Sequence, residues 1–436
     1  MNKSKHNIFS QLRDSDQFFI VNPLWGSADI LSPEEALEYQ SGQFTDEKLW
    51  AERGYIVNQE EEEKEYKKQY LDFIDRRDTE EIQLFFVPTY ACNFACSYCY
   101  QIEYAPGPEP LKKEVVDAFF DYIASRFSGR EKYITLFGGE PLLPGEKNRE
   151  MTRYLVEKSI QHKIDLAIVT NGYLLEEYLP VFEGAKIREI QVTLDGTQEF
   201  HDARRMLRNK QGTFEQIVRG IDAAIGKGYM INLRMVIDKD NLPDLPDFAQ
   251  FAIDRGWTQS HLFKTQLGRN YELHTCQTAQ NRLYSRIELY QDLYQMLQQH
   301  PHIIDFYKPG FSIAKFLFEN SELPAAIFDA CPGTKSEWAF DYTGSIYSCT
   351  ATVGKQEEKL GTFFPQVYHN EDLIADWEER DVLAIDECKG CSLQLICGGG
   401  CASLAKNQSN GDLYATDCRP VKELLELGMS FYRQNY

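Results

Sequence analysis

Cys92, Cys96 and Cys99 stand in one C-x3-C-x2-C run, Cys92-Asn93-Phe94-Ala95-Cys96-Ser97-Tyr98-Cys99. Three thiolates on a single loop can hold a four-iron cluster and leave one iron without a protein ligand. The amino and carboxylate groups of a small molecule can chelate that open iron. A structural zinc site and an ordinary electron-transfer cluster remain as alternatives at this point. Zinc normally takes four ligands in paired C-x2-C units and an electron-transfer cluster normally takes four cysteines, whereas this loop offers three and no histidine.

A second set of cysteines closes the chain. Cys331 is followed after twelve residues by Gly344 and after four more by Cys349. Cys388, Cys391, Cys397 and Cys401 then follow as C-x2-C-x5-C-x3-C, with Cys418 beyond them. With Cys276 the chain holds eleven cysteines. Its N-terminal residues 1–16 are polar and no apolar run reaches membrane-spanning length, so the expected compartment is the cytoplasm, where thiols stay reduced. Metal ligation is then the default reading of the cysteines.

The elements that must position these residues begin near Ile82. Short β-rich runs at 82–87, 133–137, 165–169, 189–194, 231–237 and 261–265 alternate with helical patterns such as 113–126, 149–162 and 214–227, the signature of parallel βα units. Six units suit an open barrel, so the expected fold class is α/β, a partial (β/α)6 TIM-like barrel. In parallel barrels chemistry gathers at the C-terminal strand ends. The first strand runs into the cysteine loop, the second into Gly138-Gly139-Glu140-Pro141, the third into Thr170-Asn171-Gly172 and the fourth into Thr193-Leu194-Asp195-Gly196. Four polar motifs on one rim describe one site.

Around the barrel (81–270) the sequence predicts three further units. Residues 1–80 read as a small α+β unit: β segments 18–21 and 28–31, helices 33–39 and 46–53, then 54–57. Residues 271–330 read as bridging helices, 282–299 and 313–320. Residues 331–436 form a loop-rich, cysteine-dense domain with one hairpin, 337–341 and 345–349. A run of four glutamates, Glu60 to Glu63, reads as a solvated helix start. The formal charge of −21 excludes a phosphate-backbone partner, which needs clustered Lys and Arg. The expected partners therefore include neither nucleic acid nor membrane.

The cysteine loop with an aromatic before its third thiol, followed one strand later by Gly-Gly-Glu-Pro, resembles the radical S-adenosylmethionine enzymes over roughly residues 82–265. The resemblance implies S-adenosyl-L-methionine bound to the open iron and cleaved to a 5′-deoxyadenosyl radical. It would set Tyr98 against the adenine, bring Gly138, Gly139 and Glu140 to the methionyl amino group, and bring Thr170 and Thr193 to the rest of the cofactor. A backbone without side chains permits close approach of a ligand, and a carboxylate suits an ammonium. His201-Asp202-Ala203-Arg204-Arg205 is similar to the peptide-modifying branch, with Arg205 meeting either a carboxylate or a structural partner.

Residues 331–418 resemble the seven-cysteine SPASM extension, which implies two auxiliary clusters and three 4Fe-4S clusters in all. On that resemblance Cys388, Cys391, Cys397 and Cys418 would enclose the outer cluster. Cys331, Cys349 and Cys401 would hold the inner one, whose fourth ligand is left open among Cys276, water, a carboxylate and a substrate thiol. Residues 1–80 faintly resemble leader-peptide recognition domains, which add a peptide strand to a sheet edge; a plain cap on the barrel is the alternative. The expected function is a maturase acting on a ribosomally made peptide or protein, with a flavodoxin or ferredoxin as low-potential electron donor. Its outcome would be a crosslink such as a thioether, epimerisation or oxidation. A formylglycine-forming sulfatase maturase, a small-molecule cofactor-biosynthesis enzyme and a multi-cluster electron carrier are the alternatives. The eight histidines and many carboxylates single out no general acid or base.

Overall fold

The computed structural model describes residues 1–101, 110–270 and 282–435. Cys276 lies outside them. The chain opens with a small unit in which β1 (Asn2–Lys3) pairs antiparallel with β5 (Ile56–Val57). Strands β2 (Ile8–Gln11), β3 (Phe18–Asn22) and β4 (Ser27–Leu31) form an antiparallel sheet in the order β2-β3-β4. Sequence reading found β3 and β4 but not β1 or β2, which are short and carry little β-branched character. The helix Pro33–Ser41 starts where local chemistry dictates, since Ser32 and Glu35 form a reciprocal capping box and Pro33 opens the first turn. Gly42, at φ 73°, ends it.

The glutamate run does begin a helix, Gln59–Thr79. One face of it is committed to packing: Tyr66, Tyr70 and Phe73 surround Phe328 with ring centroids 5.1, 5.3 and 5.6 Å away. Phe328 is thereby fully buried.

Six parallel strands follow: β6 (Ile82–Val87), β7 (Lys132–Leu136), β8 (Asp165–Thr170), β9 (Ile187–Thr193), β10 (Ile231–Ile237) and β11 (Phe263–Arg269). They are neighbours in chain order, each hydrogen-bonded to the next, as a partial (β/α)6 barrel requires. Period-two alternation sorts their side chains. Ile82, Leu84, Phe86, Ile134, Leu136, Ile168, Ile190, Leu233 and Ile237 are buried in the core beneath the outer helices. The inward positions are largely polar, among them Gln83, Thr135, Glu189, Gln191 and Arg234, in place of the apolar layers that fill a closed barrel. The interior is accordingly a cavity of about 740 Å³.

The predicted hairpin exists as β12 (Glu337–Asp341) and β13 (Ser345–Tyr347). Its placement was not legible: β12 pairs parallel with β6, and β13, β14 (Gly361–Thr362) and β15 (Tyr368–His369) extend the same sheet to ten strands. The barrel sheet and the cysteine-dense region are thus one continuous hydrogen-bonded surface.

Candidate active site

The cysteine loop leaves β6 and is held from two sides. Its backbone runs beside residues 204–208: Ala95 N–H donates to Met206 C=O at 2.9 Å and Ser97 N–H to Arg204 C=O at 3.1 Å. On the other side Gly139 N–H donates to Thr89 C=O at 3.0 Å and Glu140 N–H to Ala91 C=O at 2.9 Å. A Cβ on Gly139 would stand 2.3 Å from the Ala91 carbonyl oxygen, and one on Gly138 2.7 Å from that of Thr89. Both glycines are therefore demanded by the approach of the cysteine loop itself.

Cys92, Cys96 and Cys99 are half-buried and line the cavity. Burial pushes the Cys92 thiol up to about 12, with Glu140, Cys96 and Cys99 adding to the shift, so the three thiols share one neighbourhood. Ligation to iron would reverse that effect, because a bound cation deprotonates a thiol outright. Among the described residues no three His, Cys, Asp or Glu side chains close on one point as the ligands of a single ion do. A four-iron cube spaces its thiolates more widely.

Glu140 also lines this cavity, yet its carboxylate is largely committed to the protein. Oε1 accepts from Thr170 Oγ1 at 2.6 Å and from Leu142 N–H at 2.8 Å, and Oε2 accepts from Asn171 N–H at 2.6 Å. A carboxylate has about four acceptor sites, so roughly one remains for an ammonium. Burial outweighs the three donors and pushes the Glu140 carboxyl up to about 7. Thr170 and Asn171, at the end of β8, are buried and complete this corner. Asn171 Nδ2 donates to Asn93 Oδ1 at 2.8 Å, fastening β8 to the cysteine loop.

Opposite stands a charged network. The Tyr98 hydroxyl donates to Asp195 Oδ2 at 2.6 Å and accepts from Arg205 Nη1 at 2.6 Å. The hydroxyl is thus fixed by protein while the ring stays on the cavity wall, where an adenine face is expected. Arg204 meets both oxygens of buried Asp238 at 2.8 and 2.9 Å and lies over the Tyr98 ring, 5.1 Å from its centroid. His201 Nδ1 accepts from Asp195 N–H at 3.2 Å, and burial followed by the two adjacent arginines holds that imidazole well below its ordinary range. A neutral His201 therefore supports the backbone of Arg205 through Thr213, whose hydroxyl donates to Arg205 C=O at 2.6 Å. Thr193 is buried at the rim and lines the same space.

Three cavity residues stood outside the site set read from the sequence. Arg205 was left between two roles; the structure puts it against Tyr98, on the cavity wall, with its Nε lacking an acceptor. Arg234 had no motif to mark it. Its guanidinium lies across Gly268, where a Cβ would stand 3.0 Å from Nε and from Nη2. Asn171 was visible inside a motif but not singled out.

Among the C-terminal cysteines, Cys388 lies near Cys391, Cys397 and Cys418, and Cys349 lies near Cys331. Burial pushes the Cys388 thiol up to about 11, with Cys397, Cys391 and Cys418 adding to the shift. Cys418 is exposed, so this group reaches the surface. Cys349 is pushed up to about 12 by burial, with Glu337 and then Cys331 adding, and its sulfur lies 3.6 Å from Ser403 Oγ, two residues past Cys401. Glu337 is the carboxylate at hand beside the second group: its Oε1 accepts from Thr350 N–H at 3.3 Å, and burial pushes its carboxyl up to about 7. Tyr100 donates to Thr350 C=O at 3.5 Å, which ties the first cysteine loop to the Cys349 segment. The thiol donors of the first loop fit a four-iron cluster.

Residues 86–252 match the Radical SAM superfamily, and the barrel of this chain is a radical SAM domain. Among curated relatives, the GTP 3′,8-cyclase of Ectopseudomonas mendocina is 31% identical over 186 residues. That match takes in 41% of this chain and 52% of the relative, so the chain spans about half the length of the cyclases it resembles. The serine-type anaerobic sulfatase-maturating enzyme of Bacteroides thetaiotaomicron is 26% identical over 75% of this chain and 66% of its own. Among solved structures, anSMEcpe with bound AdoMet and a Cp18Cys peptide shares the fold at a TM-score of 0.62, with 17% identity, over 82% of this chain and 99% of that one. SuiB of Streptococcus suis, bound to precursor peptide SuiA, aligns at 0.52 with 15% identity over 96% and 99%.

Proposed function

We propose that this chain is a radical S-adenosylmethionine maturase of the SPASM type, modifying a residue of a ribosomally made peptide or protein. The carrying observation is that the cysteine loop, Gly138-Gly139-Glu140, Thr170, Thr193 and Tyr98, drawn from four strand ends, all open into one cavity. A four-iron cluster and S-adenosylmethionine bound there would supply a 5′-deoxyadenosyl radical. The chain's own part is positioning and containment. Cys92, Cys96 and Cys99 would hold the cluster, and the glycine pair keeps their loop in register. The remaining acceptor site of Glu140 suits the methionyl ammonium, Arg205 suits a carboxylate, and the fixed ring of Tyr98 offers a flat face to the adenine. The enclosing barrel wall keeps water from a radical.

Cys388, Cys391, Cys397 and Cys418 would hold an outer auxiliary cluster, and Cys331, Cys349 and Cys401 an inner one, with Glu337 beside Cys349 and Asp329 beside Cys331 as protein carboxylates at hand. A peptide substrate is supported by what the similar proteins bind: Cp18Cys for anSMEcpe and SuiA for SuiB. The N-terminal sheet supports a leader-binding role, because β4 has a strand neighbour on one side only. The sulfatase-maturing enzyme among the relatives favours formylglycine formation as a second reading. The electron donor would be a flavodoxin or ferredoxin in the cytoplasm; no helix among the described residues is long and apolar enough to cross a membrane.

The test is anaerobic reconstitution with iron and sulfide, reduction by dithionite, and assay of 5′-deoxyadenosine beside bound iron. About twelve irons per chain with deoxyadenosine formed is the expected result. Changing Cys92, Cys96 and Cys99 together to Ala should abolish cleavage and leave about eight irons. Cleavage that persists in this variant refutes the assignment.

A further inference from the structure

Arg380 follows the helix Glu371–Glu379 and is completely buried. Its Nε donates to Leu413 C=O at 2.7 Å, and its Nη2 donates to Gly399 C=O and Ala415 C=O, both at 3.0 Å. Among the described residues Nη1 meets no acceptor and no carboxylate pairs with the guanidinium. The adjacent Asp381 carboxylate is taken by the Tyr70 hydroxyl at 2.8 Å and the N–H groups of Leu383 and Ala384 at 2.7 and 3.0 Å. Asp329 is paired with Lys335. A guanidinium cannot shed its proton, so this side chain carries a full positive charge out of water. Such a charge is costly unless an anion answers it.

The candidate anion lies next to the unused donor. A Cβ built on Gly399 would stand 3.9 Å from Arg380 Nη1 and 3.9 Å from Cys388 Sγ, so the two atoms are at most twice that distance apart. Gly399 holds φ 74°, and the Ile385 side chain, its Cδ1 2.8 Å from the same Cβ position, borders the space between them. Cys388 belongs with Cys391, Cys397 and Cys418, the set proposed to enclose the outer cluster.

We infer that Arg380 is the built-in counter-charge of this outer cluster and holds its reduction potential above the value the same cluster would have without it. The inference rests on the auxiliary-cluster reading. Four thiolates around a 4Fe-4S core make a doubly negative assembly, which becomes triply negative on taking one electron, with no bond formed or broken. A fixed cation stabilises the reduced form more than the oxidised one. Arg380 is a positioning residue: it touches neither substrate nor the cleaved cofactor.

The test uses the full chain carrying the Cys92, Cys96 and Cys99 to Ala changes, so that only auxiliary clusters contribute. It compares Arg380, Arg380→Lys and Arg380→Gln by bound iron and by redox titration followed by electron paramagnetic resonance. Arg380→Gln should lower one of the two potentials by about 59 mV, a tenfold loss in the reduction equilibrium for one electron. Arg380→Lys, which keeps the charge but not the fork of hydrogen bonds, should stay close to the parent. Loss of iron at one cluster in the Gln variant alone supports the same conclusion. Equal shifts, equal losses of iron, or unchanged potentials in both variants overturn it. A parent chain that binds no auxiliary iron refutes the cluster reading itself, which is told apart because the iron is missing before any substitution at Arg380.

Discussion

Glu140 shows how one side chain can be legible by type while most of its contacts are not. Its place in Gly-Gly-Glu-Pro marked it, but three donors from Thr170, Leu142 and Asn171 make it first a clasp between the ends of β7 and β8. Its folded carboxyl is raised to about 7 from an ordinary value near 4.5. The folded state therefore holds this proton more tightly than the unfolded chain. The contribution to stability is full below about pH 4.5 and is lost as the pH rises through about 7. The iron-free protein should melt at lower temperature near pH 8 than near pH 5, and Glu140→Gln should flatten that slope. The same variant should lose about 1–3 kcal/mol near pH 5, because its amide would turn a donor toward the Asn171 N–H. Denaturant unfolding at the two pH values checks both. A slope unchanged in Glu140→Gln would show that other groups set the pH dependence.

At the scale of elements, the consequential pairing is β12 on β6. The hairpin was legible because β-rich runs flank Thr343-Gly344. Its partner was not, because a strand of five residues carries no address and hydrogen-bonding groups are alike along every edge. In the structure Glu337–Asp341 covers what would be the open edge of β6, a strand of sequence IQLFFV. Exposed apolar edges template aggregation. A chain ending at residue 330 should therefore form soluble aggregates or inclusion bodies, even though every barrel strand is present. Light scattering of the purified fragment checks it; a monodisperse monomer would mean that the barrel closes its own edge.

For the molecule as a whole, the N-terminal unit is a structural partner as much as a possible peptide binder. β2 meets the C-terminal helix Val421–Asn435, where Arg13 N–H donates to Ser430 Oγ at 2.9 Å and Arg433 to Gln17 Oε1 at 2.6 Å. The helix Gln59–Thr79 roofs the cysteine-dense region through Phe328 and through Tyr66, which donates to Gln394 Oε1 at 2.9 Å. Deleting residues 1–80 should uncover Phe328 and lower iron retention by the C-terminal cysteines, beyond any loss of peptide binding. Iron counts on the truncated chain check this, and full retention would make the unit a separable appendage. A leader-binding role is better probed by substitutions along β4.

The sequence by itself determined the chemistry and its order. Three thiols on the first loop, seven in the C-terminal region and four polar motifs at successive strand ends follow from residue identity and spacing, and local geometry turns the periodic runs between them into βα units. Only the tertiary structure decided which groups answer one another across the chain. It put Arg205 on Tyr98, gave the glycine pair to the cysteine loop, laid Arg234 across Gly268, joined β12 to β6 and left Arg380 buried beside Cys388 without a carboxylate. Those contacts join residues far apart in sequence, and their partners are fixed by packing and by the cost of burying a charge, neither of which leaves a periodic trace in the chain.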